Sequence, residues 1–163
     1  MTTLLIAHHS PTAHVAALRD ALHAGATDDA IEGVEVDVRS VADVQAEHLI
    51  DADGVLLLTP ANFGYMAGMV KDMFDRTFLD IGGALSDDGS GEGSAGGGGK
   101  KPYGLCVHGR YDTTGAEQSV QTIVGALPWT QAAEVLSVIG DVDDAATERA
   151  YELGGTLAAL LMP

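Results

Sequence analysis

Residues Asp53–Arg76 have the sequence DGVLLLTPANFGYMAGMVKDMFDR, which predicts a buried strand, a loop and an amphipathic helix. The strand, Gly54–Leu58, is a continuous apolar run, which is typical of a parallel sheet that helices cover on both faces. The helix, Met66–Phe78, places its apolar residues on one stripe at helical spacing. The loop between them, Thr59–Tyr65, is rich in aromatic and small residues, so we expect it to form a surface for a flat ligand.

The segments around this stretch alternate between predicted strands and predicted helices. Strands are predicted at Thr3–Ala7, Val34–Val38, Gly54–Leu58, Pro102–Gly109 and Leu136–Ile139, and helices up to about His23 and at Val41–Ile50, Met66–Phe78, Thr114–Leu127 and about Asp144–Leu161. Right-handed crossovers then place helices on both faces of a five-stranded parallel sheet, so the alternation predicts a three-layer α/β fold. We expect Gly25 to end the first helix and Asp141 or Asp143 to cap the last one.

Residues Gly82–Lys101 form a low-complexity segment, GGALSDDGSGEGSAGGGGKK. Its glycine and serine content predicts a flexible loop without a core of its own, which we interpret as a spacer or a tolerated insertion. The whole chain, residues 1–163, is expected to form one domain, because 163 residues with 46% hydrophobic content suit a single core.

The composition makes several classes of partner and site poor candidates. A net charge of −16, from 24 acidic and 8 basic residues, argues against nucleic acid and anionic membranes. The acidity fits either an ordinary solvated surface or adaptation to high internal salt. No apolar run approaches the ~20 residues of a membrane span, and no signal peptide is visible. The single Cys106 cannot form an internal disulfide, which favours a reducing cytoplasm, and no metal site is expected.

The loop after the first predicted strand, Ser10–His14, has the sequence SPTAH and opens a predicted helix. Helix N-termini present free N–H groups and a partial positive charge, so they bind phosphate, and the hydroxyls of Ser10 and Thr12 would add donors. An N-cap with a spare hydroxyl is the alternative. The loop has neither a Gly-x-Gly-x-x-Gly pattern nor a Walker lysine, which argues against a dinucleotide or triphosphate site.

Three stretches resemble one family of proteins. SPTAHVAAL resembles the phosphate-binding loop of flavodoxin-like flavoproteins. TPANFGYMAGMVKDMFDR resembles the second flavin loop and helix of NAD(P)H-dependent flavin and quinone reductases of the Trp-repressor-binding-protein type, and VHGRYDTTGA occupies the position of their third flavin loop. The resemblance implies a flavodoxin-like fold with strand order 2-1-3-4-5, FMN as cofactor, NAD(P)H as reductant, a quinone-like acceptor and a homo-oligomer.

The resemblance also implies which residues hold FMN. They are Ser10, Thr12, Ala13, His14 and Val15 at the phosphate; Pro60, Ala61, Asn62, Phe63 and Gly64 at one side of the ring; and His108, Gly109, Arg110, Tyr111, Asp112 and Thr113 at the other side. Ala13 stands where the family has glycine, which is tolerable unless its φ is positive. Val15 stands where the family has a hydroxyl residue, which removes one phosphate hydrogen bond, worth about 1–3 kcal/mol.

Two residues of the third loop have more specific candidate roles. His108 is a candidate proton donor to the flavin or to a quinone, and a solvated loop histidine is the alternative. Arg110 is a candidate contact for the flavin or for a phosphate of NAD(P)H, and an ion pair with Asp112 or with a neighbouring acidic residue is the alternative. No side-chain nucleophile is required, because a flavin carries the electron chemistry.

The sequence therefore favours an FMN-dependent NAD(P)H oxidoreductase that reduces a quinone or a similar acceptor. A flavodoxin-type electron carrier is the main alternative, since an acidic surface suits docking to basic redox proteins. A scaffold that has lost FMN is a second alternative, motivated by Ala13 and Val15. A phosphoacceptor receiver domain is set aside, because it needs an Asp at the end of the third strand, where this chain has Thr59 and Pro60.

Overall fold

The computed structural model describes residues 1–82 and 100–163. The elements are β1 (Thr2–His8), α1 (Ala13–Ala26), β2 (Val34–Ser40), a 3-10 turn (Val41–Asp43), α2 (Ala46–Asp51), β3 (Gly54–Asn62), β4 (Tyr65–Met66), α3 (Gly68–Thr77), β5 (Lys101–Gly109), α4 (Thr114–Val124), β6 (Trp129–Gln131), β7 (Leu136–Ile139) and α5 (Asp144–Ala159). The flexible loop expected at residues 82–101 falls almost entirely outside the described residues. Within those residues, no helix is both long enough and apolar enough to cross a membrane.

The strands form one sheet in the order β2-β1-β3-β5-β6, with β7 also beside β5. The predicted order 2-1-3-4-5 is confirmed, because the fourth predicted strand is β5 and the fifth is β7. The strand count differs, since the described residues form a sheet of seven strands instead of five. One addition is β6, which pairs with Lys101–Tyr103 while β7 pairs with Cys106–Gly109, so the outer position is shared by two short strands. The other is β4, a two-residue antiparallel partner of β3.

Helices cover both faces of this sheet, as the apolar run of β3 predicts. Alternate residues of β1 belong to two separate clusters of buried side chains: Leu5 packs with residues of α3 and α4, whereas Leu4 and Ile6 pack with α1 and α5. Both faces of the central strands are therefore removed from water, which is the main source of stability for such a sheet. Because β1 pairs in parallel with β3, and β3 with β5, the carboxyl ends of these three strands lie side by side.

Contrary to the prediction, Gly25 does not end α1, which continues to Ala26. A Cβ atom on Gly25 would lie 1.8 Å from the carbonyl oxygen of Tyr151 on α5. A Cβ atom on Gly154 of α5 would likewise lie 2.0 Å from the carbonyl oxygen of Leu22. The two helices thus contact each other backbone to backbone, and glycine is needed there for close approach instead of for helix termination. At the other end of α5, Asp143 is the cap, because it accepts a hydrogen bond from the Ala146 N–H at 2.8 Å.

The helix predicted at Val41–Ile50 is broken into the 3-10 turn and the short α2. Arg76 of α3 holds the 3-10 turn in place, because its guanidinium donates to the carbonyl oxygens of Val41 and Val44 at 3.0 Å each. The same side chain donates to Asp72 at 2.7 Å, so the ion pair expected from their spacing is present. Part of the connection between the second strand and α2 is therefore held by α3.

Lys101 differs most from its predicted environment, because it begins β5 and is only 4% exposed. Its ammonium group donates to the carbonyl oxygens of Leu49, Ile50 and Ala52 at 2.5, 3.2 and 2.6 Å. These carbonyls lie at the C-terminal end of α2, where helix carbonyls lack intrahelical partners and a positive charge is favourable. The lysine therefore joins the start of β5 to the end of α2.

Candidate functional site

The three predicted loops converge at the carboxyl ends of β1, β3 and β5. Two neighbouring cavities lie there, which we name the inner and the outer cavity. The inner cavity has a volume of about 250 Å³ and is lined by Pro11, Thr12, His14, Val15, Pro60, Ala61, Asn62, His108, Gly109 and Arg110. The outer cavity has a volume of about 260 Å³ and is lined by Ala61, Phe63, Gly64, Arg110, Tyr111 and Asp112. Ala61 and Arg110 line both cavities, which therefore adjoin each other, and we refer to the two together as the groove.

The N-terminus of α1 opens onto the inner cavity. Thr12 is its N-cap, and its hydroxyl accepts a hydrogen bond from the Val15 N–H at 3.3 Å, as the capping alternative predicts. The hydroxyl can still donate its own proton, and the N–H groups of Ala13 and His14 belong to the first turn, where a helix leaves donors free. This end of the groove therefore offers donors to an anion.

The departures from the family pattern have different consequences in this loop. Phe63 is the only non-glycine residue with a positive φ among the described residues, so Ala13 is tolerated, as expected. The Val15 side chain is fully buried and offers no hydroxyl. Ser10 lines neither cavity, and its hydroxyl lies 2.9 Å from Nδ1 of His8. Burial, followed by the neighbouring Arg19, lowers the pKa of His8 from its ordinary value.

The predicted second loop is a β-hairpin. Residues Thr59–Asn62 continue β3 and return as β4, with Phe63 and Gly64 at the turn. Both turn residues have positive φ, 51° and 72°, which is typical of the two-residue turns that connect twisted strands. Thr59 is fully buried and fixes the base of the hairpin, because its hydroxyl accepts from the Ala67 N–H at 3.0 Å. The sequence pattern was misleading here because Pro60 resembles a strand terminator.

The hairpin rests on the first turns of α4. A Cβ atom on Gly115 would lie 2.0 Å from the carbonyl oxygen of Gly64, so only glycine permits this close approach. The backbone N–H of Met66 donates to the hydroxyl of Ser119 at 3.1 Å. Sequence reasoning placed neither Gly115 nor Ser119 at the site, although a glycine in the first turn of a helix is a usable signal of close packing. The first turns of α4 thus determine where the hairpin lies.

Two aromatic side chains stand in solvent at the outer cavity. Phe63 is fully exposed and Tyr111 is 87% exposed. Phe63 also has a backbone conformation that is unfavourable for a bulky residue, and such strain is concentrated at functional sites. The two rings come from different loops and line the same cavity, so they could contact a flat ligand from two directions.

Arg110 is exposed and lines both cavities. The ion pair with Asp112 is absent, because Asp112 accepts hydrogen bonds from the N–H and the hydroxyl of Thr114 at 3.0 and 2.8 Å instead. These bonds lower the pKa of the Asp112 carboxyl from its ordinary value. Among the residues that line the groove, Arg110 is therefore a cation that remains available to a ligand.

Thr113 does not belong to the groove, although the family pattern places it there. It is 3% exposed, and its hydroxyl donates to Glu117 at 2.9 Å and contacts the hydroxyl of Ser137. Its contacts join α4 to β7. Gly109 forms the start of this loop, where a Cβ atom would lie 2.8 Å from the carbonyl oxygen of Asp112. The third loop thus contributes its residues from His108 to Asp112 to the groove.

A fourth segment, which the sequence did not predict, reaches the site. The turn after β7 contacts both histidines of the inner cavity: Nε2 of His108 donates to the carbonyl oxygen of Gly140 at 2.6 Å, and Nδ1 of His14 accepts from the Val142 N–H at 3.3 Å. The signal that could have identified this turn is its position after β7, because β7 ends beside β5 at the same edge of the sheet. Within residues 1–82 and 100–163, no group of three or more potential ligands could hold a metal ion.

Comparison of the sequence with known proteins gives a partial match. No family model matches the chain. An NAD(P)H dehydrogenase (quinone) from Acidithiobacillus ferrooxidans is 28% identical in an alignment of 97 residues that covers 47% of this chain and 48% of that protein. The match thus spans about half the length of that relative.

Solved structures match over the whole length. A flavodoxin from the domain Archaea has a TM-score of 0.78 at 15% identity, over 98% of this chain and 99% of that chain. The flavodoxin, WrbA-like protein from Agrobacterium tumefaciens has a TM-score of 0.71 at 14% identity, over 99% of this chain and 98% of that chain. These matches show that the chain has the flavodoxin-like fold, which the resemblance implies.

Proposed function

We propose that the protein binds FMN along the groove formed by the inner and outer cavities and is an oxidoreductase. One observation carries this proposal: loops predicted from three separate motifs line a single groove, with a helix N-terminus at one end and exposed aromatic rings at the other. FMN has a phosphate at one end and a flat three-ring system at the other. The two ends of the groove match these two chemistries.

The residues present fit such a cofactor. The N–H groups at the start of α1 and the Thr12 hydroxyl would hold the phosphate, because backbone donors bind anions even in a protein of net charge −16. Pro60, Ala61 and Asn62 would lie along one edge of the ring, and Phe63 and Tyr111 would cover its faces. When bound, the flavin supplies the hydride and electron chemistry, and the protein orients it and excludes water. His108 as a proton donor stays a prediction.

Titration of the protein with FMN and with riboflavin tests this assignment. Both ligands have the same ring, and only FMN carries the phosphate, so the difference in affinity measures what the α1 N-terminus contributes. We expect quenching of flavin fluorescence with both ligands and at least about tenfold tighter binding of FMN, equivalent to about 1.4 kcal/mol. Equal affinities for FMN and riboflavin would argue against the phosphate site. If the fluorescence of neither ligand is quenched, the assignment is contradicted.

For the reaction, we propose reduction of a quinone or a similar acceptor by NAD(P)H. The partial match to a quinone dehydrogenase supports this choice. Arg110 would contact a phosphate of NAD(P)H, because it lines both cavities and no carboxylate neutralises it within the described residues. The proposals of a homo-oligomer and of a cytoplasmic location accompany this function as predictions from the family resemblance and from the single cysteine.

The substitution Arg110→Ala tests this role. We expect the KM for NADPH or NADH to rise about tenfold or more, because a hydrogen bond to a charged group contributes about 1.5–3 kcal/mol. The measurement is oxidation of NAD(P)H, followed by absorbance, with a soluble quinone as acceptor. The affinity for riboflavin, which has no phosphate, serves as the control for an intact ring site. An unchanged KM would remove Arg110 from the reductant site.

An electron carrier of the flavodoxin type is the second candidate function. Two observations favour it: the match to an archaeal flavodoxin covers almost the full length of both chains, and the net charge of −16 suits docking to a basic redox protein. The same assay separates the two functions. Turnover of NAD(P)H with a quinone supports the enzyme, whereas binding of FMN without turnover, together with salt-sensitive electron exchange with a basic redox protein, supports the carrier.

A further inference from the structure

Two imidazole rings that line the inner cavity hold the turn between β7 and α5, residues 140–142. His108 of β5 contacts the carbonyl oxygen of Gly140 through Nε2 at 2.6 Å. His14 of α1 contacts the N–H of Val142 through Nδ1 at 3.3 Å. The centroids of the two rings are 5.6 Å apart. Both ends of the turn are therefore attached to side chains of the candidate site.

These two contacts have opposite polarity, and only one of them tolerates a protonated ring. A carbonyl oxygen can only accept, so His108 donates from Nε2 in its neutral and in its charged form. A backbone N–H can only donate, so His14 must keep Nδ1 unprotonated to accept from Val142. The proton of neutral His14 then lies on Nε2, which faces the Asp141 carboxylate at 3.6 Å. Protonation of His14 at Nδ1 would place two N–H donors, one on the ring and one on the Val142 backbone, against each other. The hydrogen bond with Val142 would then be lost.

The hydrogen bond from the Val142 N–H requires an unprotonated Nδ1, so this contact favours the neutral form of the His14 ring in the protein without a ligand. The residue lies in the first turn of α1, at the positive end of the helix dipole. The side chain of Asp141 is 88% exposed, so solvent screens its carboxylate. The other ionisable groups that line the same cavity are His108 and Arg110.

A phosphate bound at the α1 N-terminus would reverse this preference. Phosphate monoesters carry close to two negative charges at neutral pH and above, and a nearby negative charge favours the imidazolium form. We propose that His14 takes up a proton when FMN binds, which releases the Val142 end of the turn while His108 retains the Gly140 end. This inference rests on the proposed function, because it requires the phosphate of FMN at the inner cavity.

Calorimetric titration with FMN at about pH 7.5, in buffers that differ in ionisation enthalpy, counts the protons taken up per ligand bound. The phosphate of free FMN is already mostly dianionic at this pH, so it adds little to the count. We expect uptake approaching one proton per FMN and an FMN affinity that rises by up to about tenfold for each unit by which the pH is lowered. Riboflavin is expected to bind without proton uptake.

Two variants make the test specific. His14→Gln retains an acceptor for the Val142 N–H but cannot be protonated, so we expect proton uptake to disappear. His108→Gln is the matched control, because it changes the other ring of the same cavity and retains a donor for Gly140, so uptake should persist. A second readout is hydrogen exchange of the Val142 amide. It should accelerate when FMN binds to the unmodified protein and stay slow with riboflavin or in His14→Gln.

The outcomes separate this inference from the function on which it rests. FMN binding without proton uptake, uptake that persists in His14→Gln, or uptake that is lost only in His108→Gln overturns the inference and leaves FMN binding intact. If FMN does not bind, the proposed function and the inference both fail. Proton uptake that depends on His14 and on the phosphate, with faster exchange at Val142, supports the inference.

Discussion

Replacement of Gly154 by alanine is expected to lower the free energy of unfolding by about 2–4 kcal/mol. The added Cβ atom would lie 2.0 Å from the carbonyl oxygen of Leu22 and 2.8 Å from its carbonyl carbon. These are backbone atoms of α1, so no side-chain rotation relieves the overlap and the helices must separate. Alanine is intrinsically better than glycine in a helix by about 1 kcal/mol, so a loss of stability here requires that the overlap dominates.

The matched control for this prediction is Gly68→Ala. Gly68 is also helical, at the start of α3, but no atom from outside its own stretch of helix lies within 4 Å of its added Cβ. We expect no loss of stability, and a gain of up to about 1 kcal/mol from helix propensity. Urea unfolding, followed by circular dichroism, measures both variants. Equal midpoints for the two variants would show that α1 and α5 are not in backbone contact.

The second large effect is expected for Lys101→Met, which should destabilise the fold by roughly 2–4 kcal/mol through loss of hydrogen bonds to buried carbonyls. Methionine fills a similar volume but cannot donate to the carbonyl oxygens of Leu49, Ile50 and Ala52. Each buried carbonyl left without a donor is unfavourable by about 1–3 kcal/mol, and access of water relieves part of the sum. The consequence is loss of the connection between α2 and the start of β5.

Lys100→Met provides the comparison for this variant, since Lys100 precedes Lys101 directly and is exposed. The same charge is removed from an acidic protein, so effects of net charge are equal in both variants. We expect a change within about 0.5 kcal/mol for Lys100→Met. Similar unfolding curves for the two variants would contradict the role assigned to Lys101.

The fold was predictable because its signals are local and repetitive. The apolar runs of β1 and β3 and the spacing of Ala146, Ala150 and Leu153 in α5 are visible without neighbours, and the structure buries all of them. The misassigned positions depend on contacts between distant segments. Gly25 resembles a helix terminator in sequence, but its environment is set by Tyr151 of another helix. Lys101 resembles the end of a polar linker, and only the fold brings α2 to its ammonium group.

The candidate site was predictable to a similar extent. The predicted strand order places the three loops at one edge of the sheet, because the carboxyl ends of parallel strands meet there, and in the structure residues of all three loops line neighbouring cavities. The sequence did not predict which side chains of these loops face the groove. Thr113 faces Glu117 and Ser137 instead of the groove, and Ser10 faces His8. The turn at Gly140 reaches the groove because β7 pairs with the C-terminal half of β5, Cys106–Gly109. This pairing joins distant segments, so the local sequence pattern does not predict it.

The most direct test of the account is to add FMN to isotope-labelled protein and map the backbone amides whose NMR signals change. We expect the changes to cluster in the loops that follow β1, β3 and β5, with Thr12, Ala61 and Arg110 among the affected residues, and in the turn that contains Val142. The groove between α1 and α5 beside Tyr151 should be unaffected. Changes concentrated there, or no changes at saturating FMN, would contradict the claim that these loops form one flavin site.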